Sequence, residues 1–342
     1  MSAIDSELKD EDLRAGPDSS AAREQQMHRV VLIYNPASGQ HFRHGKSVID
    51  DALAMLRNAG IEAEAIATTA PGSAEAQVAE SVRRGCDTFL ACGGDGTVHE
   101  VLQPLVGSQA ALGVVPLGTA NALAADLGVP LSPLKAVEAL LTATPVRVSV
   151  GHIFYRDNAG AECSRYFTVA AGIGADAQLM YRLDAKLKRQ FGYALYAVEG
   201  IRILATHSFP TFDAAFVTRR RGKPRVEEVS QLLAVRIRDF GGMLHNLAPG
   251  ATLRSDSLRL LAFKTRNRFH YLSFLTAVLF RRQTFNGRIE LLDAVSVECR
   301  AHKDSQERIF VEADGESLGN LPVRIEIVPD ALTLLVPKQA KP

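Results

Sequence analysis

The chain has 342 residues, 46% of them hydrophobic and 23% charged, with a formal net charge of +1. That length accommodates two domains with cores of their own, and the near-neutral charge excludes nucleic acid as a main partner, because neutralising phosphates requires a clear basic excess. Cys86, Cys92, Cys163 and Cys299 lack the C-x-x-C pairing of zinc and redox motifs and read as reduced thiols of a cytosolic protein. No apolar run is long enough to span a bilayer, and the N-terminus has no apolar signal region.

Residues 1–27 are polar and largely acidic, which predicts a disordered tail. Val30–Tyr34 is a continuous apolar run, as expected of a strand covered on both faces. It leads into the turn cluster Asn35-Pro36-Ala37-Ser38-Gly39, from which Asn35 and Ser38 can face a nucleotide. Gly39 to Gly45-Lys46-Ser47 approaches a P-loop but has five residues between the glycines where the motif requires four, so it is not read as one. Val48–Arg57 has helical spacing and stops before Gly60. Ile61–Thr69 returns as a strand ending in Thr68-Thr69-Ala70-Pro71-Gly72. Ser73 is then the expected cap of a helix that places Ala74, Val78 and Val82 on one face.

Thr88–Cys92 predicts the third strand, and it ends abruptly in Gly93-Gly94-Asp95-Gly96-Thr97 before an amphipathic segment resumes. Bare amides entering a helix N-terminus are a seat for phosphate. A carboxylate there is repelled by phosphate unless a cation stands between them, so Asp95 points to Mg²⁺ and hence to a nucleotide. A plain strand-to-helix turn would show the same short pattern. Leu112–Val115 predicts a fourth strand, followed by Pro116-Leu117-Gly118-Thr119-Ala120-Asn121. Strands alternating with short helices imply a doubly wound parallel α/β domain. Ligands bind at the carboxyl ends of such strands, and all four unusual loops fall there. That convergence favours the phosphate reading.

The pattern changes near Thr144-Pro145. Short β-rich runs follow at Val146–Ile153, Phe167–Ala171, Phe212–Val217, Leu232–Ile237, Leu258–Phe263 and Ile289–Val297, interrupted by a helical stretch near Ala175–Leu204. Frequent turns between them predict an antiparallel β-sandwich. The expected organisation is a tail over 1–27, a nucleotide-binding domain over 28–145 and a sandwich over 146–328. A final segment, 329–342, has a strand, Leu332–Val336, able to pair back onto the first domain.

Within the second domain, Gly172-Ile173-Gly174-Ala175-Asp176-Ala177 is a weak dinucleotide-like loop. Asp314-Gly315-Glu316 places two carboxylates around a glycine, which an acidic turn would also do. Lys186–Phe191 and Phe269–Arg282 mix basic and apolar residues. They read either as ordinary core helix or as interfacial segments.

Taken in order, Asn35-Pro36-x-Ser38-Gly39, Gly93-Gly94-Asp95-Gly96-Thr97 with Glu100, Pro116-x-Gly118-Thr119-x-Asn121, Gly172-x-Gly174-x-Asp176-Ala177, Gly241-Gly242 with Asp256, and Asp314-Gly315-Glu316 resemble the diacylglycerol kinase catalytic family of lipid kinases. That family includes bacterial soluble diacylglycerol kinases and sphingosine kinases. The resemblance implies a first domain of the NAD kinase and phosphofructokinase-like type, with ATP between it and the sandwich. It implies Mg²⁺ held through Asp95, phosphates cradled by Gly93, Gly94, Gly96 and Thr97, and nucleotide contacts from Asn35, Ser38, Thr69, Gly118, Thr119 and Asn121. It further implies Glu316, with Asp314, as acceptor of the lipid hydroxyl proton, and a second, structural cation near Asp256. Ala122, Asp239 and Ser257 depart from the usual pattern. Diacylglycerol is the first expected substrate, then a sphingoid base or ceramide. A soluble substrate as in NAD kinase, or a lipid- or nucleotide-binding protein without catalysis, are the alternatives. The expected setting is the cytoplasm, in peripheral contact with the inner face of the membrane, and a homodimer is suggested by the resemblance alone.

Overall fold

The computed structural model describes residues 27–36, 45–182, 198–219, 223–240, 246–303 and 307–338. The tail expected over 1–27, except Met27, lies outside them, as do Ser38, Gly39, Gly241-Gly242 and the basic stretch Lys186–Phe191.

Four parallel strands form the first half, β1 (Arg29–Tyr34), β2 (Glu62–Ala67), β3 (Thr88–Gly93) and β4 (Ala111–Pro116), in the order β2-β1-β3-β4. β3 and β4 are buried along their whole length. Helices cover both faces of such a sheet, which is why these strands read as unbroken apolar runs. The connecting helices are α1 (Gly45–Asn58), α2 (Ser73–Arg83), α3 (Asp95–Leu102), α4 (Ala122–Asp126) and α5 (Pro133–Leu141). Their inward residues, such as Ala52, Leu56, Val78, Val101 and Leu140, complete a core with Leu32, Phe89 and Leu112. Tyr34 lies opposite both Ala67 and Cys92, and Gly93 lies opposite Pro116. The four strands therefore finish level, and their loops emerge along one edge.

The second half has two β layers. One runs β12 (Ile289–Ala294), β11 (Leu258–Phe263), β10 (Gln231–Val235), β7 (Ala170–Ile173) and β14 (Phe310–Ala313). The other contains β9 (Arg225–Val229), β8 (Phe212–Val217), β13 (Ser296–Ala301), β15 (Glu316–Val336), β5 (Thr144–Arg156) and β6 (Glu162–Phe167). Phe212, Phe216, Val297 and Ile325 from the second layer meet Ile173, Leu232, Leu260 and Val311 from the first in one buried cluster. A sandwich core of this kind follows from strands that alternate inward apolar with outward polar residues.

Four differences from the sequence pattern follow from long-range pairing and composition. Phe167–Ala171 is broken between β6 and β7 because the amides of Thr168 and Val169 turn to the Asp314 carboxylate instead of a neighbouring strand. Ile289–Val297 divides at Val295, where the chain leaves its pairing with β11 for a pairing with β8 in the other layer. β9 was not foreseen, since Arg-Val-Glu-Glu-Val is a charged strand paired only through β8, a common composition at sheet edges. β15 is also continuous. One end forms a hairpin with β14, while near the other Thr333 and Leu334 pair in parallel with Ala111 and Leu112 of β4. β5 accompanies it antiparallel, so a two-stranded ribbon ties the halves together.

Candidate active site

The loops after β3 and β4 meet backbone to backbone. A Cβ added to Gly118 would lie 2.5 Å from the Cα of Gly94, and one added to Gly94 would lie 3.3 Å from the Cα of Gly118. Only glycine permits that approach. The Leu117 amide donates to the Gly93 carbonyl at 2.9 Å, and Thr97 lies over the Cα of Gly93. Asn121, left-handed at φ 49°, brackets the Gly118 peptide: its Oδ1 accepts the Gly118 amide at 3.0 Å and its Nδ2 donates to the Gly118 carbonyl at 2.8 Å. Much of this motif therefore holds the loop itself in shape.

Asp95 links the same loops. Its Oδ2 accepts the Asn121 amide at 3.0 Å and its Oδ1 accepts the Ala122 amide at 2.7 Å, at the amino end of α4. Burial pushes the Asp95 carboxyl above its ordinary range, the Ala122 amide opposes that rise, and the nearby Asp314 charge adds to it. Each oxygen thus already has one amide donor. Among the described residues no group of three metal-ligating side chains forms a cage. Mg²⁺ commonly takes one or two carboxylates and completes its shell with phosphates and water. Asp95 keeps a further lone pair on each oxygen for such a role, so the donor set fits an ion carried in with a nucleotide.

On the sandwich half, Asp314 and Glu316 behave differently although only Gly315 separates them. Asp314, buried and left-handed at φ 48°, accepts the amides of Thr168 at 3.0 Å, Val169 at 2.8 Å and Ala170 at 3.1 Å. His99 Nδ1 stands 3.5 Å from Asp314 Oδ2 and makes no hydrogen bond. Asp314 therefore positions the turn. Glu316 is exposed, and its Oε1 would lie only 2.9 Å from a Cβ on Gly96. The tertiary fold brings that carboxylate from the sandwich onto the glycine loop of the other half.

Behind the turn lies an unexpected pair of carboxylates. Glu312 Oε2 accepts the Gly315 amide at 2.8 Å. A Cβ on Gly172 would lie 1.8 Å from Asp176 Oδ2 and 2.8 Å from Glu312 Oε1. Gly172 is thus the space into which Asp176 and Glu312 converge, rather than part of a dinucleotide loop. Burial pushes the Asp176 carboxyl up to about 7.

Of the other expected nucleotide contacts, Asn35 follows β1, Thr69 follows β2 and Thr119 is exposed beside Asn121. Ser38 lies outside the described residues. The expected cap of α2 is corrected: Gly72 is the N-cap residue, and Ser73 Oγ instead accepts the amides of Thr69 at 3.0 Å and Ala70 at 3.2 Å. Glu100 of α3 takes over, accepting the Gly72 amide at 2.9 Å and the Ala74 amide at 3.3 Å, a carboxylate at a helix amino end.

Asp256, the residue expected near a structural cation, belongs to a different cluster. Its Oδ1 accepts Ser149 Oγ at 2.7 Å, and its Oδ2 pairs with Arg219 at 3.2 Å. The convergent carbonyls beside it are filled by Arg236. This fully buried guanidinium donates from Nη1 to Ser257 O at 2.7 Å, and from Nη2 to Ser149 O at 3.0 Å, Leu253 O at 3.1 Å and Ser255 O at 2.9 Å. A divalent ion at this cradle would face a fixed positive charge, so the residues present do not fit one. Sequence reading missed Arg236, although a charge inside the apolar run Leu232–Ile237 was the available signal.

Comparison with known proteins agrees with this arrangement. Residues 29–153 match the diacylglycerol kinase catalytic domain, and residues 168–336 match the YegS C-terminal NAD kinase beta sandwich-like domain. The chain is similar to a diacylglycerol kinase of Bacillus subtilis (strain 168), 27% identical over 316 residues that cover 92% of this chain and 98% of that protein. A diacylglycerol kinase of Staphylococcus saprophyticus is 26% identical, with 86% and 90% covered. Among solved structures, a diacylglycerol kinase from Bacillus anthracis str. Sterne shares the fold with a TM-score of 0.69 at 23% identity, covering 91% of this chain and 98% of that one. Yeast NADH kinase shares it more distantly, with a TM-score of 0.50 at 10% identity, covering 92% and 85%. With paired glycine loops, an Asp-Gly-Glu turn facing them and both domain models in sequence, the chain belongs to the diacylglycerol kinase catalytic-domain family of kinases.

Proposed function

We propose that this protein transfers the γ-phosphoryl group of ATP to the hydroxyl of a membrane lipid, diacylglycerol foremost. One observation carries the reading: Glu316 Oε1 sits against Gly96, where the sandwich half meets the glycine loop. Phosphoryl transfer depends on positioning and charge neutralisation more than on covalent chemistry by the protein. The amino end of α3, opened by the Gly94–Gly118 contact, presents amides to the phosphates. Asp95, anchored by Asn121 and Ala122, keeps the two glycine loops in register. Bound Mg²⁺ would neutralise phosphate charge, with Asp95 as the carboxylate placed to hold it. Glu316 accepts the lipid hydroxyl proton while the lipid oxygen bonds to the γ-phosphorus and ADP departs with the electrons of the broken P–O bond. The relatives' name, diacylglycerol kinase, supports the choice of acceptor.

The test is incubation of the pure protein with γ-labelled ATP, Mg²⁺ and a panel of diacylglycerol, ceramide, sphingoid base and NAD. Label should enter diacylglycerol most rapidly, and Glu316→Gln should slow transfer by about 100-fold or more. Transfer to NAD alone, or undiminished transfer by Glu316→Gln, would overturn the assignment.

A further inference from the structure

The Arg268–Leu279 helix carries large apolar side chains on its inner and its outer face alike. Tyr271, Phe274 and Val278 are buried, whereas Phe269, Leu272, Leu275 and Leu279, with Phe280 just beyond, are exposed, Phe269 and Phe280 at 72% each. A helix that is apolar on both faces is normally covered on both. Here half of it faces outward, and its outer face carries a shallow groove of about 660 Å³ between Phe269, Leu272, Thr276 and Phe280, ending at Arg282. The helical stretch 198–206 lies beside it, joined through the Arg268-to-Ala205 carbonyl bond at 2.6 Å, and adds exposed Val198 and Ile201. An exposed apolar surface of this kind marks an interaction site.

The surrounding charge identifies the occupant. From Arg266 to Arg288 every formally charged side chain is an arginine: Arg266, Arg268, Arg281, Arg282 and Arg288. The whole chain carries only +1, so this concentration is local. The helix also closes with a left-handed Arg281 at φ 54°, where glycine is usual; the Arg281 amide bonds to Val278 O at 2.9 Å and the Arg282 amide to Ala277 O at 2.8 Å. That closure fixes both arginines at the rim of the apolar face. A second copy of this chain meeting the same face by two-fold symmetry would set arginine against arginine. An anionic bilayer surface matches both the apolar stripe and its cationic rim.

The inner side of the helix leads towards the candidate site. Tyr271 Oη hydrogen-bonds Ser230 Oγ at 2.8 Å, and Ser230 O lies 2.9 Å from where a Cβ on Gly174 would stand. Gly174 immediately precedes α6 (Ala175–Arg182), whose Asp176 converges with Glu312 behind the Glu316 turn. We propose that the outer face of Arg268–Leu279, with Phe280 to Arg282, docks the protein on anionic membrane and so presents its lipid to the Glu316 turn. The inference rests on the lipid-kinase reading for its purpose but not for its geometry.

The full chain should co-sediment with phosphatidylcholine vesicles containing phosphatidylglycerol, and much less with phosphatidylcholine alone or at high salt. Arg281→Gln with Arg282→Gln should weaken vesicle binding about 30-fold, from the known contribution of each arginine near an anionic surface. Phe269→Glu with Phe280→Glu should weaken it at least as much. Both double variants should melt like the wild type and phosphorylate monomeric dihexanoylglycerol in solution at the wild-type rate. Vesicle binding unchanged in both variants would overturn the docking surface, as would a wild-type dimer dispersed by Phe269→Glu with Phe280→Glu. Vesicle binding that follows the expected pattern without turnover of any lipid would sustain the surface and overturn the kinase reading instead.

Discussion

Asp95 closes the amino end of α4 from a neighbouring loop, with its Oδ1 2.7 Å from the Ala122 amide. Asp95→Ala removes the acceptor for two amides at once. It should lower stability by about 1–3 kcal/mol, the usual cost of buried donors left unsatisfied, and abolish kinase activity. Asp95→Asn retains one oxygen acceptor and should recover most of the stability without the activity. Denaturant melts alongside phosphoryl-transfer assays check the pair. Equal stability of Asp95→Ala and wild type would remove the anchoring role.

The Gly94–Gly118 contact makes a sharper demand on sterics. Gly118→Ala places a methyl 2.5 Å from a backbone atom that has no rotamer to adopt. The loops must separate, at about 1–3 kcal/mol for overpacking, and ATP binding should fall more than the melting temperature. Gly96→Ala should be milder, because its methyl meets the flexible end of Glu316 at 2.9 Å. Calorimetric titration with ATP and thermal melts on both variants separate the two cases.

Glu316 and Asp314 should part company under substitution. Glu316 is exposed, so Glu316→Gln should leave stability unchanged and reduce kcat by about 100- to 10,000-fold with the ATP KM unaltered. Asp314→Asn disturbs three backbone amides of residues 168–170 and should lower the melting temperature as well as the rate. Steady-state kinetics paired with calorimetry test the contrast.

Asp176 predicts a pH dependence. Its carboxyl ionises at about 7 in the fold against an ordinary 3.8, because burial disfavours the charge. Between those values the folded chain binds more protons at this site than the unfolded chain. Its stabilising contribution is therefore complete below the ordinary value and is lost as pH rises through the folded one. Asp176→Asn should flatten the stability profile over that window in denaturant melts. An unchanged slope would contradict the assignment.

Arg236 should replace metal as the cation of the Asp256 cluster. Chelation of divalent ions should leave the wild-type melting temperature unchanged, whereas Arg236→Met should cost about 1–3 kcal/mol by leaving four convergent carbonyls without their buried donor. Scanning calorimetry with and without chelator decides between the guanidinium and an ion.

Much of the architecture was written locally. The unbroken apolar runs of β1, β3 and β4, punctuated by glycine, asparagine and proline, established a parallel sheet and the edge along which its loops emerge. Period and punctuation are short-range properties, so a linear reading can recover them. The continuous β15 and the changes of layer at Val295 and Thr168 could not be read that way, because they depend on pairing with distant segments.

The same division runs through the site. The order of Gly-Gly-Asp-Gly-Thr, Gly-Thr-Ala-Asn and Asp-Gly-Glu determined which residues are chemically suited to a phosphate donor. Which of the two carboxylates flanking Gly315 reaches the glycine loop was decided only in three dimensions. Asp314 is consumed by the amides of Thr168, Val169 and Ala170, while Glu316, on the far side of Gly315, projects over Gly96. The difference lies in hydrogen bonds between residues nearly 150 positions apart along the chain, and no local pattern encodes which side chain a remote backbone will engage.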